Sequence, residues 1–137
     1  PSKIMLKEIP ADVIASMPLL DDWGIPSRLT SLNDYAGCFN GYVTELASIW
    51  LEKLDDDQRQ EVEIFSCGPT PMLKAVSELA NKYNLPCQVS LEEYMACAVG
   101  GCAGCTVLIK TENGNAMKRV CVDGPVFEAK SVVQFQN

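Results

Sequence analysis

Apolar and polar positions alternate with different periods along the chain, and the clearest helical period lies in "GYVTELASIWLEKL". Val43, Leu46, Ala47, Ile49, Trp50 and Leu54 fall largely on one helical face, with Glu, Ser and Lys elsewhere. A short apolar run, "VEIFS", predicts a strand. It ends in "CGPTPM" and passes into a second helical pattern, "LKAVSELANKY", whose buried stripe is Leu73, Val76, Leu79, Ala80 and Tyr83. "LPCQVSL" predicts another strand. Strand, turn, helix and strand in succession predict a βαβ unit, with parallel strands and a right-handed crossover.

Other segments are weaker. "KIMLKE" reads as a short strand or a frayed lead-in. "PADVIASMPLLDDWG" reads as one or two short helices, interrupted at Pro18 and stopped by Gly24 and Pro26. "SRLTSL" is a candidate strand, "NDYAGCFNG" a loop, and the acidic "DDDQRQE" a solvated loop. After Leu91 the texture changes. A cysteine-rich loop precedes "TVLIK" and "AMKRVCV", which flank an Asn-Gly turn and predict a hairpin. "SVVQF" reads as one more strand. The fold class predicted is α/β, with an α/β piece over residues 1–90 and a small β-rich, cysteine-bound module over 91–137.

The chain has 137 residues and 47% hydrophobic content, enough for a real core and too much for global disorder. No apolar run approaches the ~20 residues of a membrane span. "PSKIMLKEIP" lacks the layout of a signal peptide, so a cytoplasmic protein is expected. It also lacks an initial Met, which suggests a trimmed product or a fragment. A net charge of −7 argues against nucleic acid and against anionic membrane surfaces. It suits solubility or a partner with a basic patch, and self-association stays open.

The chain has no histidine, which removes Ser-His-Asp and Cys-His catalysis and imidazole ligands. A metal would be held by thiolates, carboxylates or main chain. There are seven cysteines, an odd count ill-suited to a disulfide framework. Four follow the spacing Cys97-x4-Cys102-x2-Cys105-x15-Cys121, the plant-type [2Fe-2S] arrangement. Three thiolates on one tight loop can wrap a compact cluster from one side, and a fourth on the strand returning from the hairpin can close the other.

Such a cluster carries net negative charge, more when reduced, and burying it requires N–H donors aimed at the sulfurs. Ala98, Gly100, Gly101, Ala103 and Gly104 let the main chain come close. A four-cysteine zinc site uses the same ligands, but it normally pairs two C-x2-C knuckles, and only one such pair is present. A thiolate-zinc binding module therefore remains the alternative. Cys38 and Cys87 read as small buried hydrophobes.

A second candidate site is "FSCGPTPM", at a strand end that opens a helix. Ligands dock outside the carboxyl ends of strands in open α/β sheets, and a helix N-terminus favours an anionic group. A plain βα turn with Pro71 in the first helical turn explains the same residues. The adjacent Glu92 and Glu93 read as solvated or interface charges.

"CGPTPMLKAV", "SLEEYMACAVGGCAGC" and "KRVCVDGPVF" together resemble the electron-transfer subunit of the two-subunit, NAD-dependent dihydroorotate dehydrogenases, over about residues 64 to 130. "GYVTEL" is a fainter echo of the same family. The resemblance implies the C-terminal part of a ferredoxin–NADP reductase-like subunit, with a truncated nucleotide-binding-type sheet and a [2Fe-2S] module. It implies that electrons pass from an FMN in a separate catalytic subunit through the cluster to FAD and then NAD, in pyrimidine biosynthesis. Cys97, Cys102, Cys105 and Cys121 would be the cluster ligands, and Cys67, Gly68 and Pro69 would line the nicotinamide end of the nucleotide site. Another flavin and iron–sulfur reductase on the same scaffold is a further alternative.

The flavin barrel and the upstream glycine-rich loop of that family are missing from this chain. FAD and NAD are thus implied for the full-length family rather than for this chain alone, which is not expected to be catalytic by itself. Tyr94 stands where the family usually has Arg, and Ala98 where it usually has Gly. "SLNDYAG" stands where the family has "T-D-D-G-S". An unstrained loop requires a negative φ at Ala98.

Overall fold

The computed structural model describes residues 1–136, and the chain divides into two compact units, residues 1–61 and 62–137. Residue 90 lies inside the second of them.

The first unit has short elements. Helix α1 spans Pro18–Asp22, and strands β1 (Thr30–Ser31) and β2 (Phe39–Asn40) form a two-residue parallel pair. Helix α2 spans Val43–Lys53, where the periodicity predicts a helix, but of the predicted face only Leu46 is buried, beside Leu51, which lies outside it, while Val43 is exposed. Helix α3 spans Asp56–Gln60.

Residues 3–8 form no strand and are an irregular lead-in, the other reading of that segment. Two expectations for this unit are corrected. Pro18 begins its helix instead of interrupting one, because the first turn needs no proline N–H. The acidic run is helical: the Asp55 carboxylate accepts from the Gln58 N–H at 2.8 Å while Gln58 Oε1 accepts from the Asp55 N–H at 3.2 Å. That reciprocal cap is encoded by Asp-x-x-Gln, a signature the charge of the run conceals.

Polar contacts between distant residues hold this unit. The Asp21 carboxylate accepts from the Lys3 N–H (2.9 Å), Ser2 Oγ (2.9 Å) and Ser16 Oγ (3.0 Å). The Lys3 N–H is the foremost reason its pKa is lowered. Arg28 donates to the carbonyls of Val13 (2.9 Å) and Ile4 (2.7 Å).

The second unit opens with the predicted βαβ succession: β3 (Ile64–Cys67), α4 (Thr70–Tyr83) and β4 (Cys87–Ser90). The strands are parallel, with Ile64 opposite Cys87 and Cys67 opposite Ser90. The helix stops at Asn84, whose φ of +54° lets the Leu85 N–H reach the Ala80 carbonyl at 2.9 Å. Strands β5 (Thr106–Thr111) and β6 (Gly114–Arg119) form the expected antiparallel hairpin. Its turn is Glu112–Asn113, and Gly114 takes the positive φ, +104°.

Beyond Arg119 the expected strand gives way to helix α5 (Val120–Asp123), so Cys121 sits on a helical turn. Strand β7 (Val126–Glu128), which the periodicity did not announce, pairs antiparallel with β4, giving the order β3-β4-β7. "SVVQF" is corrected too, since 3₁₀ turns cover Ala129–Ser131 and Val133–Phe135. Ala129, Val132 and Phe135 are buried at intervals of three, the 3₁₀ repeat rather than the strand repeat. They join Leu73, Val89 and Ile109 in a continuous apolar core.

Candidate metal centre

The segment from Glu92 to Gly104 carries no helix or strand. Its conformation comes from glycines and from N–H groups turned on sulfur. The Cys102 N–H donates to Cys97 Sγ at 3.4 Å, and the Gly104 N–H to Cys102 Sγ at 3.4 Å. The Cys97 thiol is lowered to about 6, chiefly by the Cys102 N–H and then by that of Val99.

Cys105 is buried where the loop enters β5. The Val120 N–H donates to the Cys105 carbonyl at 3.0 Å, tying the start of α5 to the end of the loop. Cys105 is lowered, foremost by the main-chain N–H of Cys121. Cys121 is raised, foremost by the side-chain hydrogen bond to Cys105.

The thiols thus meet as two pairs, Cys97 with Cys102 and Cys105 with Cys121, and Cys97 lies within electrostatic reach of Cys121. None of the seven cysteines is in a disulfide. Among the described residues no three His, Cys, Asp or Glu side chains are grouped as ligands of a single ion would be. Two pairs suit a cluster in which each of two irons takes two thiolates. The donor set therefore fits an iron–sulfur cluster.

The expectation for Ala98 is overturned. Its φ is +55°, and that of Ala103 is also +55°. Both side chains stand in the left-handed region that favours glycine, at a cost of roughly 1–2 kcal/mol each. The Val99 N–H reaches Cys97 from this backbone, so the strain accompanies the turning of N–H groups onto sulfur.

Cys67, Gly68 and Pro69 stand together at the carboxyl end of β3, directly before α4. Gly68 has a φ of +156°, and a Cβ there would run into Met72 Cε. The exposed Cys67 Sγ donates to Glu92 Oε1 at 3.9 Å, joining the strand-end turn to the segment that leads into the loop. Thr70, Glu92, Glu93 and Tyr94 line an open recess of about 450 Å³ there. Cys87 is buried, with its thiol pushed up by burial, and Cys38 is half-buried.

Sequence reasoning missed two residues of this site, Arg119 and Asp123. Arg119 Nη1 donates to the Gly100 carbonyl at 3.0 Å, and its main-chain N–H donates to Asp123 Oδ2 at 2.7 Å. That N–H is the foremost reason Asp123 has a lowered pKa. Their i, i+4 spacing astride Cys121 was the signal available.

Fold and site together define an α/β protein that carries an iron–sulfur binding module. Residues 92–133 match the model of the iron–sulfur cluster binding domain of dihydroorotate dehydrogenase B. The chain is 53% identical over 74 residues to the dihydroorotate dehydrogenase B (NAD(+)) electron transfer subunit of Caldanaerobacter subterraneus subsp. tengcongensis, covering 53% of this chain and 30% of that protein. It is 43% identical over 109 residues to the probable electron transfer subunit of Methanocaldococcus jannaschii, covering 79% of this chain and 38% of that one.

The chain thus spans about a third of the length of these relatives. A chain from the structure of an NADH-dependent reduced ferredoxin–NADP oxidoreductase, described for flavin-based electron bifurcation, superimposes with a TM-score of 0.61. It is 25% identical, and the match covers 87% of this chain and 39% of that one. The family resemblance and the α/β fold class read from the sequence are both borne out. Among the described residues no helix is long and apolar enough to cross a membrane.

Proposed function

We propose that this chain transfers electrons through a [2Fe-2S] cluster, as part of the electron-transfer subunit of a dihydroorotate dehydrogenase. The observation that carries the reading is the meeting of four thiols as two pairs on a loop whose N–H groups face the sulfurs. Cys97 and Cys102 hold one iron, and Cys105 and Cys121 hold the other. When bound, the cluster supplies one-electron transfer. The N–H groups of Val99, Gly101, Cys102 and Gly104 offset the charge on the sulfurs, and the small side chains leave them access. No acid–base side chain is required in this role.

Cys67, Gly68 and Pro69 line the nicotinamide end of an NAD site that the longer subunit completes, and that subunit also supplies the FAD site. The partner is an FMN-containing catalytic subunit, and the work is done in the cytoplasm. The electron-transfer subunits to which the chain is similar and the match over residues 92–133 support this reading.

Anaerobic reconstitution with iron and sulfide tests it. Wild-type protein is expected to take up two irons and two sulfides, turn reddish-brown and bleach with dithionite. Cys102→Ser is expected to lose the visible spectrum. A colourless wild-type protein that binds one zinc instead would overturn the assignment. Orotate-dependent NADH oxidation, with the full-length subunit mixed with a catalytic subunit, tests the partner.

A further inference from the structure

Gly100 stands at the centre of the cysteine loop. Its N–H and that of Gly101 are among the groups that favour the thiolates of Cys121 and Cys97 respectively, and the Cys102 N–H that follows donates to Cys97 Sγ at 3.4 Å. Two successive N–H groups, those of Gly100 and Gly101, therefore serve the two thiol pairs, one each. Its carbonyl is held from outside by Arg119 Nη1 at 3.0 Å. The same guanidinium donates through Nε to Asp123 Oδ2 at 3.3 Å, and that oxygen also accepts the Arg119 main-chain N–H at 2.7 Å. Gly100 has a φ of +81°, and a Cβ there would approach Val122 Cγ2 to 2.6 Å and Arg119 Nη1 to 3.1 Å.

A peptide unit is a rigid plane whose C=O and N–H point in opposite directions. Pinning the Gly100 carbonyl therefore aims the Gly101 N–H at Cys97. A charged donor on that carbonyl also polarises the plane and strengthens the hydrogen bond on its far side. We propose that Arg119, anchored by Asp123, is a positioning residue that clamps Gly100 so that the loop's N–H groups meet both thiol pairs, and that this clamp raises the reduction potential of the cluster held there.

The proposal rests on the cluster reading above. Hydrogen bonds to the sulfurs favour the more negative, reduced state. Arginine suits the task because its planar fork meets the carboxylate and the carbonyl together, which a lysine ammonium does less well.

Redox titration of the intact, reconstituted chain tests the proposal. At the wild-type midpoint, Arg119→Gln is expected to lower the ratio of reduced to oxidised protein about tenfold, ~59 mV for a one-electron couple. Arg119→Lys is expected to fall nearly as far. Asp123→Asn, which frees the guanidinium but keeps it, is expected to fall less, in the same direction. Lys118→Gln removes the same charge one residue away and is expected to change the ratio less than about twofold. In the apo-protein, amide exchange at Gly101 is expected to quicken in Arg119→Gln.

An unmoved Arg119→Gln, a wild-type potential in Arg119→Lys, or an equal fall in Lys118→Gln would each overturn the clamp. Should Arg119→Gln fail to load, Asp123→Asn decides: an unshifted potential there overturns the proposal and a lowered one supports it. A wild-type chain that takes up no cluster overturns the functional reading itself. A loaded wild type with unshifted variants overturns only the clamp.

Discussion

Each of the two units buries a polar residue among its described side chains, and the two are handled in opposite ways. Asp21, 9% exposed, lies in the first unit and gathers Ser2, Lys3 and Ser16. Ser77, 1% exposed, lies on the buried face of α4 in the second unit, and its hydroxyl has no hydrogen-bond partner among the described residues. The first unit is stitched by hydrogen bonds between residues far apart in sequence. The second is held by an apolar core in which a polar group is surplus. The polar hub and the thiol-bearing loop therefore stand on different kinds of support.

The largest expected effect follows from the core. Leu73 is buried in the continuous cluster of the second unit, so Leu73→Ala should cost about 2–5 kcal/mol in denaturant unfolding, by lost transfer energy plus a cavity. Leu51, as buried, belongs to no such cluster, and Leu51→Ala should fall at or below the lower end of that range because its surroundings can collapse. Equal losses in the two variants would erase the contrast between the units.

The same contrast explains what the sequence made legible. Periodicity reports apolar faces, so α2, α4, β3, β4 and the β5–β6 hairpin were readable. The first 40 residues are organised by the Asp21 carboxylate and by Arg28 reaching the carbonyls of Ile4 and Val13, contacts that leave no period in the sequence. Near the end, Ala129, Val132 and Phe135 follow a period of three, which an eye tuned to alternation takes for a strand. The four thiols were legible from spacing, because a compact cluster constrains its ligands along the chain. The Arg119–Asp123 support was not, since it acts through a main-chain carbonyl that any residue supplies.

A smaller, pH-dependent effect separates the units in a different way. The folded pKa of Asp21 is lowered, foremost by the Lys3 N–H, so its carboxylate contributes stability above the unfolded value near 3.8. That contribution is lost as pH falls through the depressed folded value. Asp21→Asn should therefore destabilise the first unit at pH 7, and the difference from wild type should shrink below pH ~4. Urea melts at both pH values, followed by amide exchange in residues 1–61, provide the measurement. A deficit that stays constant with pH would assign the role of Asp21 to shape rather than charge.

Ser77→Ala tests the other side of the comparison. Removing an unpartnered hydroxyl from an apolar site should raise the stability of the second unit by about 1 kcal/mol, because the buried group is relieved of its desolvation cost. A loss of stability on that substitution would mean that the hydroxyl has a partner in solution, and the two buried polar groups would cease to be opposites.

The smallest expected effect concerns the loop, which belongs to neither pattern. Ala98 and Ala103 keep φ values of +55° without regular structure on either side. A left-handed alanine costs roughly 1–2 kcal/mol, while glycine there would add about 0.4–1 kcal/mol of unfolded-chain entropy. Ala98→Gly should thus stabilise the reduced apo-protein by about half a kcal/mol, the small difference of those opposing terms. Denaturant melts of wild type and variant under reducing conditions measure it. An unchanged midpoint would mean that the apo loop reaches the left-handed backbone only on ligation, so that binding energy, rather than the folded scaffold, meets the strain. A gain at Ala98 would instead show a loop already shaped by its N–H···S contacts, with the alanine working against a conformation the rest of the unit imposes.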